Sequence, residues 1–282
     1  MQTKKIQNSG GSPQYESSKI KKRFRLNRKI FSYPYILFMM LFVVAPLVMI
    51  LVNAFIADGK FSFQNFAAFF TEGASVSILL NSLLVGLITT VLCLLLGYPV
   101  AYILSKMSSG KVLVLLFVLP MWVNFLMRTL ATKTIFESLG IPLGMGTVIF
   151  GMVYNYLPFM ILPLHTTLSN IDKSYAEAAR DLGADETTVF IKIILPLSLP
   201  GIISGITMVF IPTISTFAIS EFLSNNTIKL FGDSIFLKFN NDGTWGVGSV
   251  MSIIMLALVL ISNWLIAKFS GNKTSEVKKS LW

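Results

Sequence analysis

The sequence predicts an all-α integral membrane protein with six transmembrane helices. The first observation behind this is composition. Mean hydropathy is +0.72, with 54% hydrophobic and 13% charged residues, whereas a soluble domain carries about 25% charged residues. A water-soluble fold of this makeup has too little interior to hide its apolar surface, a constraint that lipid removes. The second observation is a set of apolar runs, each near the roughly 20 residues that a bilayer requires. The third is the placement of lysine and arginine at the ends of those runs.

Taken in order, residues 1–31 form a basic tail carrying Lys4, Lys5, Lys19, Lys21, Lys22, Arg23, Arg25, Arg28 and Lys29. Its first 18 residues are polar and rich in Gly, Ser and Gln, a composition that predicts disorder. The first span covers residues 32–57. It is too long for a cleaved signal peptide and follows a long polar stretch, so it reads as retained. The second covers residues 78–104, the third 112–131, the fourth 147–168, the fifth 200–223 and the sixth 247–269. All six should be helical, because lipid leaves open backbone groups unsatisfied. The transmembrane domain therefore spans residues 32–270, followed by a tail at 271–282.

Positive charge gives the orientation. The loop after span one has only Lys60, whereas the next has Lys106 and Lys111. Lys133 follows span three, with Arg128 just inside it, and the loop after span four has Lys173, Arg180 and Lys192. Lys229 and Lys238 follow span five, and the C-terminal tail adds Lys273, Lys278 and Lys279. The alternation is clear at both ends and places both termini in the cytoplasm. The net charge of +10 then reads as membrane-surface contact, not nucleic-acid binding. A single cysteine, Cys93, excludes an intrachain disulfide, and a lone His165 leaves no histidine cluster for a metal.

One connector is more than a link. Over residues 170–199, Ser174 precedes Glu177 by three residues, the spacing of a capping box. A short helix is expected from Tyr175 to Leu182, with Gly183 supplying a left-handed turn. Asp185 is placed to cap a second helix running through Ile194, where Val189, Phe190, Ile193 and Ile194 recur at helical spacing. Pro196 and Pro200 interrupt it before span five. The expected product is a rigid cytoplasmic elbow presenting the small residues Ala176, Ala178 and Ala179, with Glu177, Arg180 and Asp181 as orienting charges.

At these residues the sequence resembles a known family. Glu177-Ala178-Ala179, then Gly183, Ile193 and Leu195-Pro196, match at every fixed position the EAA signature of ABC importer permeases. The segments LGYPVAY (96–102), LPMWVNFLMR (119–128), LPFMILPL (157–164) and EAARDLGA (177–184) look like the B-type permeases of spermidine/putrescine importers. The resemblance implies a MetI-like type I importer permease fold in the bacterial plasma membrane. It implies that the elbow is a coupling helix seated on an ATP-binding cassette dimer. It further implies a second, homologous permease, an extracytoplasmic polyamine-binding protein, and transport by alternating access. ATP and Mg would be bound by the partner ATPase, leaving no cofactor and no catalytic residue in this chain.

Candidate path residues follow from the chemistry of a polycation, which favours carboxylates and aromatic faces. Glu221 reads either as a cation contact at the channel mouth or as an interfacial charge ending span five. Trp122 and Asn124 lie near the end of span three, and Tyr154 and Asn155 lie in span four. Asn155 is placed to bond across helices. Asp233 and Asp242 read as solvated loop charges. Rival classes find less support. An ion-coupled secondary transporter would use intramembrane acids that are nearly lacking here. A membrane enzyme would need a metal-ligand or nucleophile–base constellation, and the sequence contains neither that nor a P-loop.

Overall fold

A computed structural model describes residues 32–57, 59–71, 73–241 and 243–280. The basic tail and Asp242 lie outside these. The chain divides into two compact units, residues 1–46 and 47–282. The described part of the first unit is helical: α1 (Ser32–Met39), then a π-helical turn at Met40–Val44. Its large apolar side chains from Tyr33 to Val44, Met39 excepted, are exposed, an arrangement suited to lipid and unfavourable in water.

The second unit begins within α2 (Ala45–Ala54) and continues through a two-residue hairpin, β1 (Ile56–Ala57) with β2 (Lys60–Phe61), to α3 (Gln64–Thr71). Span one therefore ends at Ala54, three residues earlier than its apolar run. Asn65 closes this corner, its Nδ2 donating to the carbonyls of Ala54 (3.2 Å) and Ile56 (2.9 Å). Two long helices follow the expected spans: α4 (Gly73–Lys106) and α7 (Met145–Ser169). The last helix, α14 (Trp245–Ser280), carries the sixth span and continues into the tail.

The core of this unit is the packing of α4, α7 and α11 (Leu199–Ser215). Cys93, Tyr98 and Ala101 of α4 are buried against Met160, Ile161 and Leu164 of α7 and Val209 of α11. Without a strong hydrophobic drive inside lipid, helices associate where small residues let backbones approach. Gly97 is such a site, since a Cβ there would lie 3.1 Å from Met160 Cγ. Polar ties lock the packing: Tyr98 Oη to Ser198 Oγ at 2.9 Å, and the Phe231 amide donating to Ser82 Oγ at 2.7 Å.

Two of the six spans are not single helices. Span three splits into α5 (Gly110–Val118) with a 3-10 turn at Leu119–Trp122, and α6 (Phe125–Ser138), which turns away by 88°. The cause is local. Pro120 sits in the 3-10 turn, Val123 is extended, and Asn124 caps the new helix by accepting from the Leu126 amide at 2.9 Å. Span five, expected as continuous over residues 200–223, ends at Ser215. Thr216 is extended, Ala218 has φ +73°, and a separate short helix α12 (Ile219–Leu223) follows. Among the described residues four helices are long and apolar enough to cross a membrane, and up to six if the bent pairs Gly110–Trp122 with Phe125–Ser138 and Glu186–Leu197 with Leu199–Ser215 each count as one span.

The break at Ala218 has a chemical anchor. Asp233, in α13 (Phe231–Asn240), is buried and accepts from the amides of Ala218 (3.1 Å) and Leu230 (2.9 Å) and from the Ser220 hydroxyl. The expectation of a solvated loop charge at Asp233 is therefore corrected. A carboxylate with several donors offsets the cost of a non-glycine residue at positive φ.

Candidate functional site

The loop over residues 170–199 folds as an elbow: α8 (Lys173–Asp181), a turn, α9 (Glu186–Val189), a π-helical turn at Phe190–Ile194, and α10 (Leu195–Leu197). α8 starts at Lys173, two residues before the Tyr175 start that the capping-box reading gives. Its N-cap is Asp172, whose Oδ1 accepts from the Ser174 amide at 3.0 Å. Ser174 and Glu177 both lie inside the helix and are exposed, so their three-residue spacing is not a cap. The bond to Ser174 holds the Asp172 carboxyl below its ordinary value. Asp185 does occupy the second N-cap position. It makes no side-chain bond to the backbone there, and the nearby Thr188 hydroxyl holds its carboxyl below the usual range.

The turn between α8 and α9 is closed in the Schellman manner. Gly183 has φ +84°, its amide donates to Arg180 O at 2.8 Å, and the Ala184 amide donates to Ala179 O at 3.0 Å. Across this turn Arg180 grips Glu186 with two bonds, Nε to Oε1 at 2.6 Å and Nη2 to Oε2 at 3.1 Å. The pair raises the Arg180 pKa and lowers that of Glu186. Arg180 is thus a brace within the elbow, where the sequence placed it among the outward orienting charges. Ala176 points inward and is buried, so of the three alanines only Ala178 is fully exposed and Ala179 partly so. The outer surface instead offers Tyr175 and Leu182, the latter 90% exposed.

Behind the elbow, Phe190 sets its ring edge-on to Tyr98 (5.8 Å) and Tyr102 (5.2 Å) of α4. Ile194 and Leu195 pack on the same α4–α7 core, and Ile193 and Pro196 are half-buried. Pro196 does not end a helix outright. The turn before it widens to π geometry, and the 60° bend falls at Ser198, between α10 and α11. The elbow is thus braced on one side by Arg180–Glu186 and packed on the other against α4 and the α4–α7 core. A cavity of about 320 Å³ lies under it, lined by Tyr102, Lys106, Asp172, Ala176, Glu177 and Arg180 among others.

A larger cavity, about 510 Å³, opens where spans three and five break. It brings together Trp122, Asn124, Arg128, Asn155, Tyr156 and Phe217. Trp122 is 84% exposed, and Asn124 spends its side-chain oxygen on the α6 cap. Asn155 is 3% exposed. Its Nδ2 donates to Gly151 O within its own helix at 2.8 Å, not across helices as expected, and its Oδ1 has no hydrogen-bond partner. Tyr154 stands outside the lining, with its ring 5.8 Å from the Arg128 guanidinium carbon. Glu221 is not part of this cavity. It lies on α12 beside a much smaller recess shared with Lys229 and Asp233. Asp172 and Glu186 carry elbow roles that the sequence reading did not assign; for Asp172 the readable signal is an Asp just before a helical run.

Bent membrane helices around a mainly apolar cavity with a few polar groups, and a braced elbow between spans four and five, are the setting in which the family match falls. The chain belongs to the family of binding-protein-dependent transport system inner membrane components, whose pattern it matches over residues 20–272. It is 33% identical over 268 residues to the spermidine/putrescine transport system permease protein PotB of Salmonella typhimurium, covering 85% of this chain and 93% of the relative. The Escherichia coli K12 protein of that description is also 33% identical, over 264 residues, with 83% and 96% covered. A PotB homolog of Mycoplasma genitalium is 27% identical over 259 residues, with 80% and 86% covered. Among solved structures, a bacterial ABC transporter that imports the acidic polysaccharide alginate has a similar chain (TM-score 0.61, 14% identity, 86% and 95% covered). The alginate transporter in complex with its periplasmic protein gives a TM-score of 0.64 at 13% identity.

Proposed function

We propose that this chain is the permease subunit of an ATP-driven importer for polyamines of the spermidine/putrescine class. The braced elbow carries this reading. It is a rigid, outward projection whose free face bears Tyr175, Glu177, Ala178 and Leu182 and whose rear is keyed into α4. Such a part transmits force from a separate protein, here a dimer of ATP-binding cassette subunits in which ATP and Mg reside. Both termini and the elbow then face the cytoplasm, in line with the lysine and arginine distribution. A second permease completes the path, and an extracytoplasmic binding protein delivers the solute.

The polyamine reading rests on the similarity to PotB along nearly the whole chain. The large cavity supplies compatible chemistry, since aromatic faces attract ammonium groups and Asn155 Oδ1 is a buried acceptor free to take an N–H. Trp122, Asn155 and Tyr156 are its contact residues in this account; Glu221 sits apart from them. The test is uptake of labelled spermidine by the reconstituted complex with and without ATP, in competition with sulfate, metal and sugar solutes. ATP-dependent uptake suppressed only by polyamines is expected. Suppression by another solute class would overturn the substrate assignment.

A further inference from the structure

The corner that follows span one carries an aromatic surface that the core does not use. Phe61, Phe63 and Phe70 are 73%, 62% and 67% exposed. Their rings belong to an ordered cluster. Phe55 stacks on Phe61 (ring centroids 5.6 Å apart) and meets Phe63 edge-on at 5.5 Å. Phe66 leans on Phe55 at 5.0 Å and on Phe63 at 6.2 Å. Phe66 and Phe70, four residues apart on α3, carry this surface along one helix face. Phe69, turned inward, is buried against Phe231 and ties the same helix to the core. The polar side chains of the corner are engaged with its own backbone. Asn65 Nδ2 donates to the carbonyls of Ala54 and Ile56, Thr71 Oγ1 donates to that of Ala67, and Ser62 Oγ accepts from the Gln64 amide. Exposed rings over a backbone paired in this way are unfavourable in water and suited to an apolar cover.

We propose that the β1–β2 hairpin and α3 form an interfacial foot, with Phe61, Phe63 and Phe70 set into the headgroup–acyl boundary of the bilayer and Lys60 reaching a lipid phosphate. Continuity selects lipid as the occupant. Leu47, Val48, Met49, Leu51 and Val52 are exposed on a helix long and apolar enough to cross a membrane. The exposed Ile56 carries that surface into the hairpin, where its pairing with Phe61 brings the chain back toward the helix end. Rings at headgroup level with a flexible cation beside them are the makeup of an interfacial anchor. Lys60, exposed on β2, has the stem to lie along apolar surface while its ammonium stays among the phosphates. A protein partner would call for hydrogen bonds as well as apolar area, and those of Asn65, Ser62 and Thr71 are already made inside the corner. The foot sets the depth of span one, and Phe69 passes that constraint to the core. This inference rests on span one crossing the bilayer and is independent of the solute.

The test uses the complete importer in phosphatidylcholine nanodiscs. A nitroxide is attached at Phe61→Cys, Phe63→Cys or Phe70→Cys, each in the Cys93→Ala background. Power-saturation EPR then reads collisions with oxygen, which concentrates among acyl chains, and with a neutral nickel chelate, which stays in water. Oxygen collisions should exceed nickel collisions about threefold or more at all three positions, at depths of about 5–10 Å below the phosphates. A label at Lys60→Cys should sit shallower, near the phosphates themselves. A nickel preference at any of the three phenylalanine positions would overturn the foot in favour of a solvated corner. Protection from both reagents would overturn it in favour of a protein cover. Phe61→Trp gives a second reading that needs no label. Its emission, taken as the difference from the parent protein, should be quenched more by lipids brominated near the top of the acyl chain than by acrylamide. The reverse order would also overturn the foot.

Discussion

Replacing Gly183 with valine isolates the elbow from the rest of the molecule. Gly183 sits at φ +84°, and nothing lies within 4 Å of where its Cβ would be. The perturbation is therefore conformational, with no clash. A non-glycine residue in the left-handed region costs roughly 1–2 kcal/mol, and a β-branched one costs more. Leaving that region breaks the 2.8 Å bond to Arg180 O and the 3.0 Å bond from Ala184 to Ala179, each worth about 1 kcal/mol net. The closed turn is therefore disfavoured by the strain alone, about 2 kcal/mol or more for a β-branched residue, which lowers its population by roughly 30-fold or more. The added side chain meets nothing within 4 Å of its Cβ, so insertion and assembly should persist. In proteoliposomes, Gly183→Val should cut ATP-driven uptake at least tenfold while thermal unfolding in detergent stays near wild type. Gly183→Asn, which tolerates the left-handed region, should retain most of the uptake. Wild-type uptake by Gly183→Val would refute the claim that the turn must be rigid.

Other outcomes follow from the same geometry. Phe190→Ala removes the ring contacts to Tyr98 and Tyr102, so ATP hydrolysis should survive while uptake falls, measured side by side. Asp233→Ala leaves the amides of Ala218 and Leu230 without their acceptor. Loss of about 2–4 kcal/mol in detergent unfolding is expected, and an unchanged midpoint would contradict the anchoring role. Gly97→Val pushes a branched side chain toward Met160 Cγ, 3.1 Å from the first added carbon. It should cost about 1–3 kcal/mol in the same assay. The carboxyls of Asp172, Asp185 and Glu186 are all held below their ordinary values. Groups depressed in the folded state contribute fully above their unfolded pKa and lose that contribution as pH falls through the folded one. Amide exchange of the elbow should thus be insensitive to ionisation between about pH 6 and 8, after correction for intrinsic rates, and quicken only in the acid range.

The spans with clean, long apolar runs were legible in outline, because length and composition decide whether a helix can cross lipid. Residues 78–104 and 147–168 fall inside α4 and α7 with errors of a few residues at the ends. The breaks in spans three and five were not legible from hydropathy, which is blind to backbone direction. Their causes are Asn124 acting as a cap in an apolar segment and Asp233 gathering distant amides, and the second of these is a long-range contact. The elbow's turn was readable from Gly183, since only a few residue types accept positive φ. Its start was misread because Ser174 and Glu177 have capping-box spacing while Asp172 sits two residues ahead with the stronger cap. The inward face of Ala176 and the Arg180–Glu186 brace depend on how two helices meet, which spacing along one helix does not report. Among the candidate path residues, Trp122, Asn124 and Asn155 converge on one cavity, whereas Glu221 is carried off by the break at Ala218.

The account depends most on the elbow touching the nucleotide-driven subunit. A Leu182→Cys variant in a Cys93→Ala background, within a transporting assembly, offers a thiol at the C-cap of α8, where the side chain is 90% exposed. A short bifunctional crosslinker should join this chain to the ATP-binding subunit, with a yield that changes when ATP is added. An assembly that takes up solute at the normal rate yet yields no such crosslink, with or without ATP, would contradict the coupling role of the elbow.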